Sequence, residues 1–143
     1  IIDVKAREGV GTVKITVNPR YNVIRDPLIK WGATEYEIES KIGYADEYDS
    51  NSIHYIYGDA SYGDAHITTS YMMENGKLNA VMVIINKNYL LDVFKHLSER
   101  WQFYIEKDSM YLFCDAMEPE DVKTSVVLMK YSGQWIIMYT QNK

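Results

Sequence analysis

With 143 residues and an apolar fraction of 47%, the chain suits one domain with a sizeable core, since a domain near this length buries roughly 68–70% of its unfolded surface. The net charge of -5, with Lys and Arg scattered along the sequence, excludes the basic stripe that nucleic acid or an anionic membrane surface would need. No apolar run approaches the ~18 residues that cross a bilayer, and a lone cysteine, Cys114, excludes an intrachain disulfide.

The first residue is Ile1 rather than Met. The chain is therefore expected to be a fragment or processed form, with room for a membrane tether in a preceding region. Residues 11–17, Gly11-Thr12-Val13-Lys14-Ile15-Thr16-Val17, alternate with period two and predict a half-buried strand. Asn18-Pro19 and Asp26-Pro27 follow. Both prolines break regular structure, so 1–18 reads as an N-terminal strand segment, 19–28 as a linker and 29–143 as the main domain.

Thr34-Glu35-Tyr36-Glu37 is a capping box, and Ile38 and Ile42 follow at helical spacing before Gly43; together they predict a first helix ending near Ile42. The stretch Asp46-Glu47-Tyr48-Asp49-Ser50-Asn51 reads as an acidic loop without the spacing or central glycine of a calcium loop. Strands are predicted over Ile53–Tyr57, Ala65–Met73 and Leu78–Ile85. Asn75-Gly76 marks a tight hairpin turn, because a type I′ turn needs positive φ at both central residues. A second helix is predicted over Tyr89–Arg100, with Leu90, Val93, Phe94 and Leu97 as its apolar stripe and Asn88 as N-cap. Strands Trp101–Ile105, Met110–Cys114, Lys123–Lys130 and Trp135–Thr140 complete the chain, with a weaker turn signal at Ser132-Gly133.

Gly76 and Gly133 lie 57 positions apart, and the same shift places Leu78 on Trp135, Ile53 on Met110 and Tyr57 on Cys114. This predicts an α+β fold: an antiparallel sheet from two tandem units of a helix and three or four strands, about 29–86 and 87–143, with the helices on one face. Two-residue turn geometry groups Ile67, Thr69, Tyr71, Met73, Leu78, Ala80, Met82 and Ile84 on one face, expected to be the core. Val126, Leu128, Trp135, Ile137 and Tyr139 are grouped with it, as are Trp101, Phe103, Ile105, Met110, Leu112 and Cys114. The opposite face then carries Val81, Val83, Ile85, Tyr104, Tyr111, Phe113, Val127, Met129, Ile136 and Met138. A sheet face that meets only water should be polar. This one is apolar, so something is expected to cover it. Thirteen Tyr against three Phe fit half-exposed sheet and binding surfaces.

Catalytic signals are weak. His54, His66 and Asp64 are the candidates for a metal-binding or hydrolytic pocket, and His96 is read as structural on the polar flank of the second helix. Cys114 falls on the expected core face, which argues against a nucleophile. Gly58-Asp59-Ala60-Ser61-Tyr62-Gly63-Asp64 lacks the lysine and following helix of a phosphate loop. Glu118-Pro119-Glu120-Asp121 reads as a turn. No cofactor and no metal are expected.

Trp31-Gly32-Ala33-Thr34, a helix ending at Ile42-Gly43, a strand with Tyr55 and Tyr57, and a hairpin closing on Gly76-Lys77-Leu78 resemble small extracytoplasmic bacterial lipoproteins. Their helix-then-sheet units are similar to the repeats of the β-lactamase inhibitor protein and of the small lipoprotein of the outer-membrane barrel-assembly machinery. The resemblance covers residues 28–143. It implies a non-enzymatic protein-binding role, an aromatic-rich sheet face as the docking surface, and an address in the periplasm or at the cell surface. Separately, Gly11–Val17 resembles the last strand of bacterial immunoglobulin-like repeats, which implies that residues 1–18 are the tail of a preceding domain. The expected binding residues are Tyr104, Tyr111, Phe113, Met129, Ile136 and Met138, and the expected partner is another protein or a second copy of the chain.

Overall fold

The computed structural model describes residues 2–5, 12–15, 20–59, 65–86 and 88–142. Strands β1 (Ile2–Lys5) and β2 (Thr12–Ile15) form an antiparallel two-stranded sheet, so the expected strand near residue 13 is present. The remaining elements are α1 (Glu35–Ile42), β3 (Glu47–Asp49), β4 (Ser52–Asp59), β5 (Ala65–Glu74), β6 (Lys77–Ile85), α2 (Leu90–Ser98), β7 (Gln102–Lys107), β8 (Met110–Cys114), β9 (Thr124–Tyr131) and β10 (Gln134–Gln141). A short 3-10 turn, Pro119–Asp121, precedes β9. The eight later strands form one antiparallel sheet in the order β3-β4-β5-β6-β10-β9-β8-β7. The fold is α+β. Each helix is followed by four strands, and β6 pairs with β10 at the centre.

The capping box forms as expected: Thr34 Oγ1 accepts from the Glu37 amide at 3.2 Å while Glu37 Oε1 accepts from the Thr34 amide at 3.4 Å. Gly43, at φ 97°, ends α1. The first turn of α2 differs from expectation. Tyr89 is its N-cap and makes no side-chain cap bond, because the Asn88 carbonyl oxygen instead accepts from Trp135 Nε1 at 2.7 Å. Both predicted hairpin turns adopt positive φ, at Asn75-Gly76 and Ser132-Gly133. A third, Asp108-Ser109, does so without glycine.

Ile38 of α1 and Val93 and Leu97 of α2 join one continuous core with Ile53, Ile67, Tyr71, Val81, Val83, Ile85, Phe113, Val126, Leu128, Ile137 and Tyr139. Both helices therefore lie on the same side of the sheet. Pairing confirms the rows: Tyr71 opposes Val81, which opposes Tyr139, which opposes Val126, which opposes Phe113.

This corrects the expected faces. Val81, Val83 and Ile85, placed on the second face, are fully buried under the helices, whereas Ala80, Met82 and Ile84 point the other way. The cause is a bulge. Met73 opposes Leu78 but Met72 opposes Ala80, so Asn79 is an extra residue that inverts the alternation along β6. Tyr111 and Phe113 are likewise on the helix side, opposite Leu128 and Val126, while Ile105, Met110, Leu112 and Cys114 take the other side. A second irregularity, at Tyr104 between Phe103 and Ile105, brings Phe103 back under α2, where Phe94 meets Phe103, Tyr111 and Phe113 with ring centroids 5.3–5.4 Å apart. A uniform 57-residue shift therefore fails in β4 and β8: Ile53 is in the core and Met110 is not.

Three other expectations change. Residues 47–49 are an edge strand, with Tyr48 O–H donating to Glu39 Oε2 at 2.6 Å; the charged side chains guard the edge against further pairing. Residues 20–28, expected as a linker, form with 29–33 a strap packed on the helix side. Val23 and Ile24 are buried. The Arg25 and Leu28 amides donate to the hydroxyls of Tyr57 and Tyr71 at 2.8 and 3.0 Å. Gly32 and Ala33 exchange backbone bonds with Leu78. His96 is not on a polar flank: it is fully buried, accepts the Val23 amide at Nδ1 and donates from Nε2 to Asp26 Oδ1, both at 3.1 Å. Arg100 Nε bonds the same carboxylate. Tyr71 and Tyr139 thus serve as core and Tyr57 and Tyr71 as pins for the strap, whereas Tyr36, Tyr44, Tyr48, Tyr104 and Tyr131 are exposed.

Candidate docking face

The side of the sheet away from the helices is flanked at its β8 end by Met117, Pro119 and Val122 of the segment before β9. Its rows follow from the pairing. Ile105, Leu112, Val127, Met138, Met82, Ser70, His54 and Glu47 oppose one another across all eight strands. A second row runs Met129, Ile136, Ile84, Thr68 and Ile56, and a third Cys114, Ser125, Thr140, Ala80, Met72 and Ser52. The first two rows are therefore apolar and uncharged from β7 to β6, whereas Lys107, opposite Met110, puts a charge at the β7 edge. Glu47 and Asp49 stand at the β3 edge.

Of the six expected binding residues, four lie on this face. Tyr104 is 68% exposed, Met129 and Met138 are half-buried, and Ile136 is at 9% among its neighbours. Tyr111 and Phe113 do not belong to it, because they fill the core beneath α2. Met82, Ile84 and Leu112 join the face instead, beside Val127, which lies on it as expected. Sequence reasoning missed Met82 and Ile84 because the bulge at Asn79 carries no strong signature. At the β7–β8 end a cavity of about 240 Å³ opens, lined by Tyr104, Leu112, Cys114, Met117, Pro119 and Val122 among others, and Phe113, whose ring packs against Phe94 on the helix side, also borders it. Cys114 is buried there and its Sγ donates to the Ala116 carbonyl at 3.0 Å.

The polar end of the face holds a hydrogen-bonded line. Asp49 Oδ2 meets His54 Nε2 at 2.6 Å, and His54 Nδ1 meets Ser70 Oγ at 2.7 Å. The residue types match an acyl-transfer triad, but the setting does not. Ser70 is buried in mid-strand, and its strand is laddered to β4 on one side and β6 on the other, so the local amides are engaged and offer no oxyanion hole. The line orders the β3–β5 end of the sheet. The other expected pocket does not assemble: His54 opposes Ser70, four residues from His66, or about 13 Å along the strand. Asp64 lies outside the described residues. Among the described residues no group of three potential metal ligands comes together. Among the described residues no helix is long and apolar enough to cross a membrane.

In comparisons with known proteins, no family model, no curated protein and no solved structure matches this chain.

Proposed function

We propose that the chain is a non-enzymatic protein-binding or assembly module that holds a partner protein against the open sheet face. The observation that supports this is the uncharged apolar rows around Met138, Met82, Ile136 and Ile84, which the helices, lying on the opposite side, leave uncovered. The chemistry of the face specifies an occupant: a partner surface without charge at its centre, with an apolar side chain to enter the cavity beside Tyr104. The contact residues are Tyr104, Met129, Ile136 and Met138, with Met82 and Leu112. The order of one helix and four strands, repeated, supports two tandem units with a one-residue offset in the second strand of each. The lipoprotein resemblance of residues 28–143 supports a place in the bacterial cell envelope.

The test replaces Met138 with a photoreactive phenylalanine analogue in the organism of origin, with Tyr36 of α1, which is 80% exposed, as the control position. A discrete cross-linked protein at 138 and none at 36 is the expected result. An adduct of the chain with itself assigns the face to self-association, and equal yields at both positions overturn the reading.

A further inference from the structure

On the helix side, beneath the last turn of α1, lies a cavity of about 110 Å³ that docking does not use. Tyr55 and Tyr57 of β4 and Tyr71 of β5 line it, together with Ile42 of α1, Thr69, and Arg25, Asp26 and Pro27 of the strap. The Tyr55 and Tyr71 rings stand nearly perpendicular, at 85° with centroids 5.7 Å apart. In this edge-to-face pair the rim of one ring meets the face of the other, and the ring faces that remain on the cavity wall attract cations.

A cation already uses this property. The Arg25 guanidinium carbon lies 4.4 Å from the centroid of the Tyr57 ring. The surroundings favour positive charge as well. Ile42 and Gly43 end α1, where the helix dipole is negative. Burial above all, with smaller contributions from Glu39 and Asp46, holds the Tyr55 ionisation far above the ordinary tyrosine range. Neither carboxylate is in an ion pair among the described residues. The Asp26 carboxylate, by contrast, is matched by Arg100 at 2.7 Å and His96 at 3.1 Å. With Arg25 swung into solvent, the cavity is left with its aromatic walls, Tyr55, Tyr57 and Tyr71.

We propose that this cavity binds a small methylated or quaternary ammonium group, which takes the place of the Arg25 guanidinium over Tyr57. The volume corresponds to roughly four waters at ~30 Å³ each, which suits a trimethylammonium head but not a ring system. Arg25 is then an in-cis competitor that keeps the cavity closed when no ligand is present. A tethered competitor lowers the apparent affinity of the free ligand, so removing it should tighten binding.

The experiment titrates the full chain with choline and, separately, with its neutral carbon isostere 3,3-dimethylbutan-1-ol, following the ring resonances of Tyr55, Tyr57 and Tyr71 by NMR. Saturable shifts with choline in the low-millimolar range, about −4 kcal/mol, are expected, with the alcohol at least ~tenfold weaker because it lacks the charge. Arg25→Ala should bind choline about threefold tighter. It should also fold normally, because the Arg25 amide bond to Tyr57 does not use the side chain. Tyr57→Leu should abolish saturation. Equal binding of the alcohol, unchanged or weaker binding in Arg25→Ala, or no saturable shift up to about 50 mM choline would each overturn the assignment. If Tyr57→Leu does not fold, the Arg25→Ala and isostere arms still decide it.

Discussion

Phe113→Ala separates the two possible sides of strand β8. In the structure Phe113 is 1% exposed, and its ring lies 5.4 Å from those of both Phe94 and Phe103. Truncating a buried phenylalanine costs about 3–5 kcal/mol in lost transfer energy and residual cavity. Two aromatic neighbours, each worth about 0.5–1.5 kcal/mol, place this site near the upper end, about 4 kcal/mol. For a domain whose total stability is about 10 kcal/mol, that is a large fraction. It corresponds to a fall in Tm of about 8–16 °C. The comparison is Met129→Ala, on the open face and half-buried, expected to cost about 1 kcal/mol or less. Urea unfolding followed by far-UV circular dichroism and tryptophan fluorescence measures both, and an unchanged m-value shows that the cost is one of stability. A loss below about 1.5 kcal/mol for Phe113→Ala, or a loss no larger than that of Met129→Ala, would put Phe113 on the outer face and refute the register of β8.

Ser109, at φ 62° in the Asp108-Ser109 turn, carries the left-handed strain that glycine avoids, so Ser109→Gly should raise stability by about 0.5–1 kcal/mol in the same urea assay. Burial pushes the Asp26 carboxyl up, but the hydrogen bonds from His96 and Arg100, with the Arg100 charge, outweigh it and hold the group below its ordinary value. A depressed folded pKa gives stability that is present above the unfolded pKa and lost as pH falls through the folded one. Thermal melts from pH 6 down to about pH 2 should therefore show a decline on acidification that is shallower in Asp26→Asn, with the variant already less stable at neutral pH.

Much of the fold is legible locally. The Thr34–Glu37 capping box and the Asn75-Gly76 turn depend on neighbours in sequence, and both form as the residues dictate. What fails is side assignment, for a physical reason. Strands β6 and β8 are apolar on both faces, as Val81-Met82-Val83-Ile84-Ile85 and Met110-Tyr111-Leu112-Phe113 show, so alternation says which residues share a side but not which side is the core. Only cross-strand register decides that, and register here depends on one extra residue at Asn79 and another at Tyr104. Neither is glycine, the residue that most often announces a bulge. The strap was hidden for a related reason. Asn22-Val23-Ile24-Arg25-Asp26-Pro27 has two apolar residues amid polar ones, and its burial depends on Tyr57, Tyr71, His96 and Arg100, all at least 32 positions away.

The strap also explains why only one face is closed. Eight strands about 4.8 Å apart span roughly 38 Å, whereas two helices about 10 Å in diameter cover little more than half of that width. The uncovered lane on the helix side is filled by the strap, whose Val23 and Ile24 are buried, each worth about 1.5–3 kcal/mol. Glu99 accepts from the amides of Arg20 and Tyr21 at 2.8 and 2.7 Å, which fastens the strap's start to the end of α2. Closing that lane therefore takes an irregular segment held by tyrosine hydroxyls and by the buried His96, which with Arg100 bonds the half-exposed Asp26 carboxylate. No described element does the same for Met82, Ile84, Ile136 and Met138. The asymmetry between a face sealed by so many specific bonds and one left apolar and open is what makes the open face the place to look for a partner.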